Sequence, residues 1–342
     1  MRVLIDIVHP AHVLFFLRPI RAMQARGDDL LILSREKDVT CELLDAFGLD
    51  HRPASSIGRG TLGLAFEMVS RDLAVFQAAR AFGPDVMLGY GGVAISHVGR
   101  LLGIPAVAFY DSENAVLQTR LTWPFITKLY VNDAYAGEVP AGRTTHVPGI
   151  PQLSYFHPDA FAVDRAEAVR SGLDPDRPNV FVRTVSWGAN HDIGKAGLTP
   201  EETLSLCEAL SGDAKVHLSA EEAMPAALDP YLYRGAVEDL HHLVGACDLY
   251  VGESATIACE AITLGVPALY RGHDVPGYMA QMGELGLAQV FGPETNAAAL
   301  TDAAAAALTA GPEDFAARRA AWLAACPDWG WEILAWVDEA AA

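Results

Sequence analysis

Apolar residues along this chain fall into short continuous runs separated by stretches of helical period. Val3–Val8 is an apolar run broken only by Asp6, and it predicts a buried strand. His12–Arg26 then carries Val13, Phe16, Leu17, Ile20 and Met23 at helical spacing and stops at Gly27. Leu30–Leu33 predicts a second strand, Val39–Phe47 a helix ended by Gly48, and Thr61–Phe82 a longer helix closed by Gly83-Pro84. Val86–Leu88 and Ala106–Phe109 predict buried strands, with a helix over Val93–Leu102 between them. Continuous rather than alternating apolar strands, each followed by a helix, predict a parallel sheet covered on both faces.

The second half repeats the rhythm. Strands are predicted at Asn179–Arg183, Lys215–Leu218, Asp248–Val251 and Ala268–Tyr270, and helices at Pro200–Leu210, Leu240–Ala246 and Thr256–Leu264. Val147–Asp159 holds three prolines and a glycine, and Gly172–Pro178 two more prolines, which places a linker at 151–177. The expected organisation is α/β, with Rossmann-like domains at 1–150 and 178–325. A tail at 326–342 is expected to fold back on the first domain. Its Trp329, Trp331, Ile333 and Trp336 are more apolar surface than a free terminal helix tolerates.

Composition narrows the picture. The 342 residues are 51% hydrophobic and 20% charged, which is globular rather than disordered. A net charge of −19 argues against a protein built to grip nucleic acid or an anionic membrane. It leaves room for a small anion held by backbone N–H groups at a helix start. The longest stretch without charged residues, Thr144–Pro158, is too short and polar to span a bilayer, and Asp6, His9 and Pro10 break any signal-peptide core. Five cysteines without a CxxC read as buried thiols of a cytoplasmic protein.

Several motifs fail on context. Gly58-Arg-Gly60-Thr-Leu-Gly63 fits GxGxxG, but Pro53–Ile57 before it makes no convincing strand and no acidic residue follows at the required distance. Asp174-Pro-Asp176 fits the DxD of metal-dependent sugar transferases but sits in a proline-rich turn, which explains it. His191-Asp192 and the pair His9 and His12 lack the company that a metal site requires, and His241-His242 reads as a capping or surface pair. No metal site and no cofactor are expected.

Other positions carry more chemistry. A strand ending at Val251 leads through a short turn into a helix capped by Ser254, so Ser254, Ala255 and Thr256 present N–H groups where a diphosphate would sit. Glu260, two turns in, is placed for the hydroxyls of an attached ribose; the plainer alternative is a capping serine and a solvated glutamate. His12 opens the first helix at the sheet edge, as a general base or as a helix cap. Asp6, inside the strand, needs a partner, with His12 or His9 as candidates. Asp111 and Glu113 follow another strand as acid/base candidates or as solvated loop carboxylates. Gly91-Gly92 permits close backbone approach or simply makes a tight turn. Arg183 ends an apolar run and is read as a phosphate partner, against a surface ion pair. Ser186, Trp187, Ser219 and Glu221 would line the same cleft, with Trp187 open to a core role.

The pattern Ser254-x5-Glu260-Ala…Gly265-Val-Pro267 resembles the nucleotide-diphosphate motif of GT-B enzymes. These include the non-hydrolysing UDP-N-acetylglucosamine 2-epimerases and the N-acetylglucosaminyltransferase of peptidoglycan synthesis. Nearly the whole chain, about residues 2–290, resembles an uncharacterised prokaryotic family related to both. The resemblance runs through Ile5-Asp6-Ile7-x-His9-Pro10-Ala11-His12, Arg35-x-Lys37-Asp38-Val39-Thr40, Asp111-x-Glu113, Val182-Arg183-x3-Trp187-x3-His191-Asp192 and Ser254–Pro267. It implies a GT-B fold of two domains facing across a cleft, the nucleotide held mainly by the C-terminal one and the sugar reaching toward the N-terminal one; sugar or acceptor contacts are expected at His9, Gly91, Gly92 and His191. Two departures stand out: Ser254-Ala-Thr256 replaces the epimerases' Ser-Gly-Gly, and His9-Pro-Ala-His12 replaces a glycine-rich loop. The expected activity is metal-independent glycosyl transfer from a nucleotide-diphosphate sugar, UDP-linked, to a glycan or lipid-linked acceptor in surface-polysaccharide or glycoconjugate assembly. No nucleic-acid partner is expected, and membrane contact would be peripheral. The alternatives are a sugar-nucleotide epimerase or hydrolase, and a non-catalytic binding protein of the same fold.

Overall fold

The continuous apolar runs become parallel strands in the computed structural model, which describes residues 1–36, 39–56, 60–186, 197–311 and 313–342. The chain forms two units, Met1–Tyr155 with Pro327–Ala342, and Phe156–Cys326. In the first, β1 (Arg2–Ile7), β2 (Asp29–Glu36), β3 (Arg52–Ser56), β4 (Val86–Tyr90), β5 (Ala106–Tyr110), β6 (Lys128–Asn132) and β7 (Thr144–Val147) form one sheet. Its helices are α1 (Pro10–Ala25), α2 (Thr40–Ala46), α3 (Gly60–Phe82), α4 (Val93–Leu102) and α5 (Val116–Thr122), and α6 (Leu153–Phe156) lies at the junction. The order β3-β2-β1-β4-β5-β6-β7 is parallel throughout and reverses direction between β1 and β4.

β3 corrects the reading of Pro53–Ile57. It pairs only with β2, as an edge strand, and an edge position tolerates Pro53 because one side of the strand donates to no neighbour. A strand therefore does precede the glycine motif, whose Gly58 lies outside the described residues while Gly60 opens α3. β6 and β7 were not legible as strands: β7 (Thr-Thr-His-Val) has a single fully buried side chain and is held by pairing on one side.

In the second unit, β8 (Asn179–Thr184), β9 (Lys215–Ala220), β10 (Leu249–Gly252), β11 (Ala268–Arg271) and β12 (Ala288–Phe291) form a parallel sheet of order β12-β11-β10-β8-β9, reversing between β8 and β10. Around it lie α7 (Arg165–Arg170), α8 (Pro200–Ser211), α9 (Leu240–Ala246), α10 (Ala255–Leu264), α11 (Gly277–Glu284), α12 (Ala297–Thr309) and α13 (Glu313–Ala324). The segment expected as a linker thus carries secondary structure of its own. No described helix is long and apolar enough to cross a membrane.

The chain then returns to the first unit as α14 (Trp329–Ala341), which packs along α1. Trp329 is fully buried, and its indole N–H donates to the Pro148 carbonyl at 3.0 Å. Trp336 stacks on Tyr130 with ring centroids 4.2 Å apart. Asp328 caps the helix and takes two hydrogen bonds from Arg18, at 2.8 and 2.9 Å.

Candidate active site

In open parallel sheets a ligand settles outside the carboxyl ends of the strands, where strand order reverses. Each unit has one such point, and each gathers polar side chains.

In the second unit, register places Arg183 of β8 beside Ser219 of β9 and Gly252 of β10. Arg183 Nη1 donates to Ser219 Oγ at 2.6 Å and Nη2 to Glu221 Oε1 at 2.8 Å. The other Glu221 oxygen accepts from the Ser186 amide at 3.0 Å and its hydroxyl at 3.2 Å. Arg183, Ser186, Ser219 and Glu221 are therefore one cluster, in which Glu221 sits as an anion on the arginine. Gly252 is obligatory beside it: a Cβ there would lie 2.4 Å from the Arg183 carbonyl oxygen and 2.7 Å from the Tyr250 hydroxyl. After β10, Ser254 takes the extended N-cap conformation and its Oγ accepts the Ile257 amide at 3.3 Å. The Tyr250 hydroxyl donates to the Ser254 carbonyl at 2.9 Å and accepts the Ser254 amide at 3.2 Å, fixing the turn; of the three amides expected to face a diphosphate, that of Ser254 is therefore already engaged. Trp187, His191 and Asp192 lie outside the described residues.

Two further residues complete this edge and were missed by sequence reasoning. Glu253 and Arg271 are both buried and pair at 2.6 Å. Glu253 also accepts the Leu198 amide at 2.8 Å, and Arg271 Nε donates to the Thr295 carbonyl at 2.8 Å. Together they tie the ends of β10 and β11 to the approach to α8. Burial holds the Glu253 carboxyl above its ordinary range. The signal was present: Arg271 ends an apolar run just as Arg183 does.

Glu260 is neither exposed nor solvated. It is buried in α10, and its Oε2 lies 2.9 Å from Nε2 of His241 on α9. This corrects the reading of His241-His242, which caps nothing at the helix start. His241 is buried against Phe156, with centroids 4.6 Å apart, and His242 Nδ1 accepts the Asp164 amide at 3.0 Å. Helix periodicity put His241 on an inward face that a single histidine pair could not reveal.

In the first unit the reversal lies between β1 and β4. The helix cap there is His9, whose Nδ1 accepts the Ala11 amide at 3.2 Å with Pro10 at the first helical position. His12 is thereby relieved of a capping role; it stacks on Tyr90, centroids 4.7 Å apart and rings at 26°. Asp6 does not orient either histidine. Its partner is Arg71 of α3, which also donates to Ser55 Oγ at 2.7 Å, and both charges are buried. The reason is geometric: the Asp6 carboxylate meets the guanidinium on the α3 side of the sheet.

Asp111, after β5, accepts hydrogen bonds from Tyr90 and from Ser112 Oγ, the latter at 3.0 Å, and burial raises its carboxyl above the usual range. Tyr90 thus touches both His12 and Asp111. Glu113 receives the Ala136 amide at 3.5 Å. Gly91 and Gly92 both adopt positive φ, 79° and 66°, which L side chains rarely adopt, so the turn into α4 favours glycine at both positions. Asp174 Oδ1 accepts the Asp176 amide at 3.0 Å, the turn geometry expected of that segment.

A fold of two Rossmann-like domains, with polar clusters at the switch point of each, defines the GT-B class of α/β proteins. Solved structures of that class align over essentially the whole chain. A spinosyn rhamnosyltransferase, SpnG, complexed with thymidine diphosphate, is 16% identical with a TM-score of 0.65, covering 98% of this chain and 100% of the other. The UDP-GlcNAc 2-epimerase of Neisseria meningitidis bound to UDP-GlcNAc is 12% identical (TM-score 0.66, 99% of each chain), and Acinetobacter baumannii MurG 15% identical (0.63, 99% of this chain and 100% of that one). At such identity they show the fold. Residues 1–136 match the model of a family described as a protein of unknown function, DUF354, in line with the relationship read from the motifs. No curated protein matches the sequence.

Proposed function

We propose that the protein is a metal-independent glycosyltransferase that uses a nucleotide-diphosphate sugar, UDP-linked, and a glycan or lipid-linked acceptor of surface-polysaccharide or glycoconjugate assembly. The observation that carries this reading is the cluster at the β8–β10 switch point. Arg183, hydrogen-bonded to Ser219 and carrying Glu221 as a carboxylate, meets the requirements of an anion seat beside the helix start at Ser254. A diphosphate bound there accepts from the backbone amides of Ala255 and Thr256 and takes the place of Glu221 on Arg183. That seat stabilises the charge that develops on a leaving diphosphate. Glu260 is assigned to the ribose. In the first unit His12, at the sheet edge, is assigned as the base that takes the acceptor's proton.

A second reading, epimerisation or hydrolysis of the sugar nucleotide, is favoured by one observation. Burial raises the carboxyl pKa of Asp111 despite a hydrogen bond from Tyr90 that favours its charged form, which suits a group that takes up and returns a proton. Incubation with candidate sugar nucleotides in EDTA, without acceptor, separates the two. Slow release of nucleoside diphosphate, accelerated by a cell-envelope glycan or lipid extract, is the result expected of a transferase. Rapid conversion to a stereoisomeric sugar nucleotide overturns it in favour of the second reading.

A further inference from the structure

We infer that His241 is a positioning residue for nucleotide binding, holding the Glu260 carboxylate in the orientation that receives the ribose hydroxyls. The inference rests on the assignment of Glu260 to the ribose and adds to it a residue outside the switch-point cluster.

A carboxylate buried in the middle of a helix is costly unless it is hydrogen-bonded. Glu260 is 2% exposed, and its Oε2 lies 2.9 Å from the imidazole Nε2 of His241 on the neighbouring helix. A carboxylate only accepts, so His241 Nε2 carries the proton and donates. The imidazole is itself held. Phe156 packs against its ring at 4.6 Å, and the flanking Leu243 and Val244 are fully buried. The next residue, His242, is anchored by the Asp164 amide at 3.0 Å and by stacking on Phe161 at 5.0 Å. The helix that carries the donor is thus held in place, and the donor ring itself packs on Phe156. One oxygen of Glu260 is pinned, and with it the plane of the carboxylate.

Such an arrangement bears on binding because α10 is the helix whose start faces the switch point. Glu260 lies four residues beyond Thr256 on that helix, one turn behind the amides assigned to the diphosphate. A ribose diol recognised by a carboxylate needs two hydroxyl donors to meet fixed oxygens. A side chain fixed beforehand spares the ordering cost that a mobile glutamate would incur on binding. A hydrogen bond that served the fold alone would stabilise the two helices equally whether or not the ligand carried its hydroxyls. A positioning role links His241 to those hydroxyls specifically.

The experiment measures dissociation constants by calorimetry for UDP, CDP, GDP and ADP and for the 2′,3′-dideoxy form of the tightest of them. Wild-type protein, His241→Leu and His241→Gln are compared, with folding checked by circular dichroism. Wild type is expected to prefer the ribose form by roughly tenfold or more, as for loss of hydrogen bonds to a charged group. His241→Leu should reduce that preference to about twofold or less while leaving dideoxy affinity within about threefold. His241→Gln, whose amide can donate in place of Nε2, should restore most of the preference. If wild type binds none of the diphosphates, or binds ribose and dideoxy forms alike, the ribose assignment fails and this inference with it. If wild type discriminates and folded His241→Leu discriminates equally, the inference alone is overturned. Should His241→Leu not fold, His241→Phe, which also lacks a donor, takes its place: lost discrimination supports the inference and discrimination equal to wild type overturns it.

Discussion

His12 and Glu260 illustrate how a side chain's neighbours decide what it can do. His12 is free of capping because His9 takes that position, and its ring is held face-on by Tyr90. A general base so placed acts on turnover rather than on nucleotide affinity. His12→Ala should lower transfer about 10²–10⁴-fold while the UDP dissociation constant stays nearly unchanged, measured by steady-state kinetics beside calorimetry. Glu260 belongs to binding. Glu260→Ala should weaken UDP binding by about 1.5–3 kcal/mol, on the order of 10- to 150-fold. Unchanged affinity in a folded variant would remove Glu260 from the ribose.

Between elements, buried polar bonds fix how helices and strands meet. Asp6 of β1 and Arg71 of α3 form a buried ion pair, and removing one partner leaves an uncompensated charge. Arg71→Met should therefore cost about 3–5 kcal/mol in urea unfolding, and adding Asp6→Leu should recover most of that loss. Additive losses would show that the two charges do not stabilise each other. In the second unit, His217 of β9 donates to Asn179 Oδ1 of β8 at 3.0 Å, and burial pushes its pKa down to about 4. The unfolded imidazole, near 6.5, takes up a proton that the folded one refuses. Stability from this group is complete above pH 6.5 and is lost as pH falls toward 4, by at most about 3 kcal/mol. His217→Gln, which does not titrate, should flatten the decline in melting temperature between pH 7.5 and 4.5. An identical decline in the variant would move the acid sensitivity elsewhere.

At the scale of the whole molecule, the first unit is assembled from both ends of the chain. Its sheet comes from residues before Tyr155, yet the last helix covers Phe15 and Tyr130 with Trp329 and Trp336. Trp329→Ala opens a cavity under a fully buried indole and strands the Pro148 carbonyl, so it should cost about 3–5 kcal/mol. Trp331 sits two residues away and is 60% exposed, so Trp331→Ala should stay within about 0.5 kcal/mol. Comparable losses for both would contradict the packing described.

The parallel α/β architecture was legible because it rests on local facts. Continuous apolar runs such as Val3–Val8 and Asn179–Arg183 have no exposed face, so they require cover on both sides. Helix starts and stops at Gly92, Ser254 and Gly265 follow from backbone donors and positive φ, which the sequence states residue by residue, whereas the first helix begins at Pro10 with His9 as its cap and not at His12 as the pattern suggested. Of the strands that were not legible, β3, β7 and β12 are edges, which bury little and are defined by the neighbour they pair with, whereas β6 is an interior strand. The same limit applied to charge. The sequence indicated that Asp6 needs a partner but could not choose between a nearby histidine and Arg71, sixty-five residues away. It marked Glu260 and left His241 on the surface, and it overlooked Glu253 and Arg271. Each of those pairings spans different elements, and only the tertiary structure brings such elements within hydrogen-bond distance. Local chemistry fixed which residues needed partners; chain topology decided which partners they received.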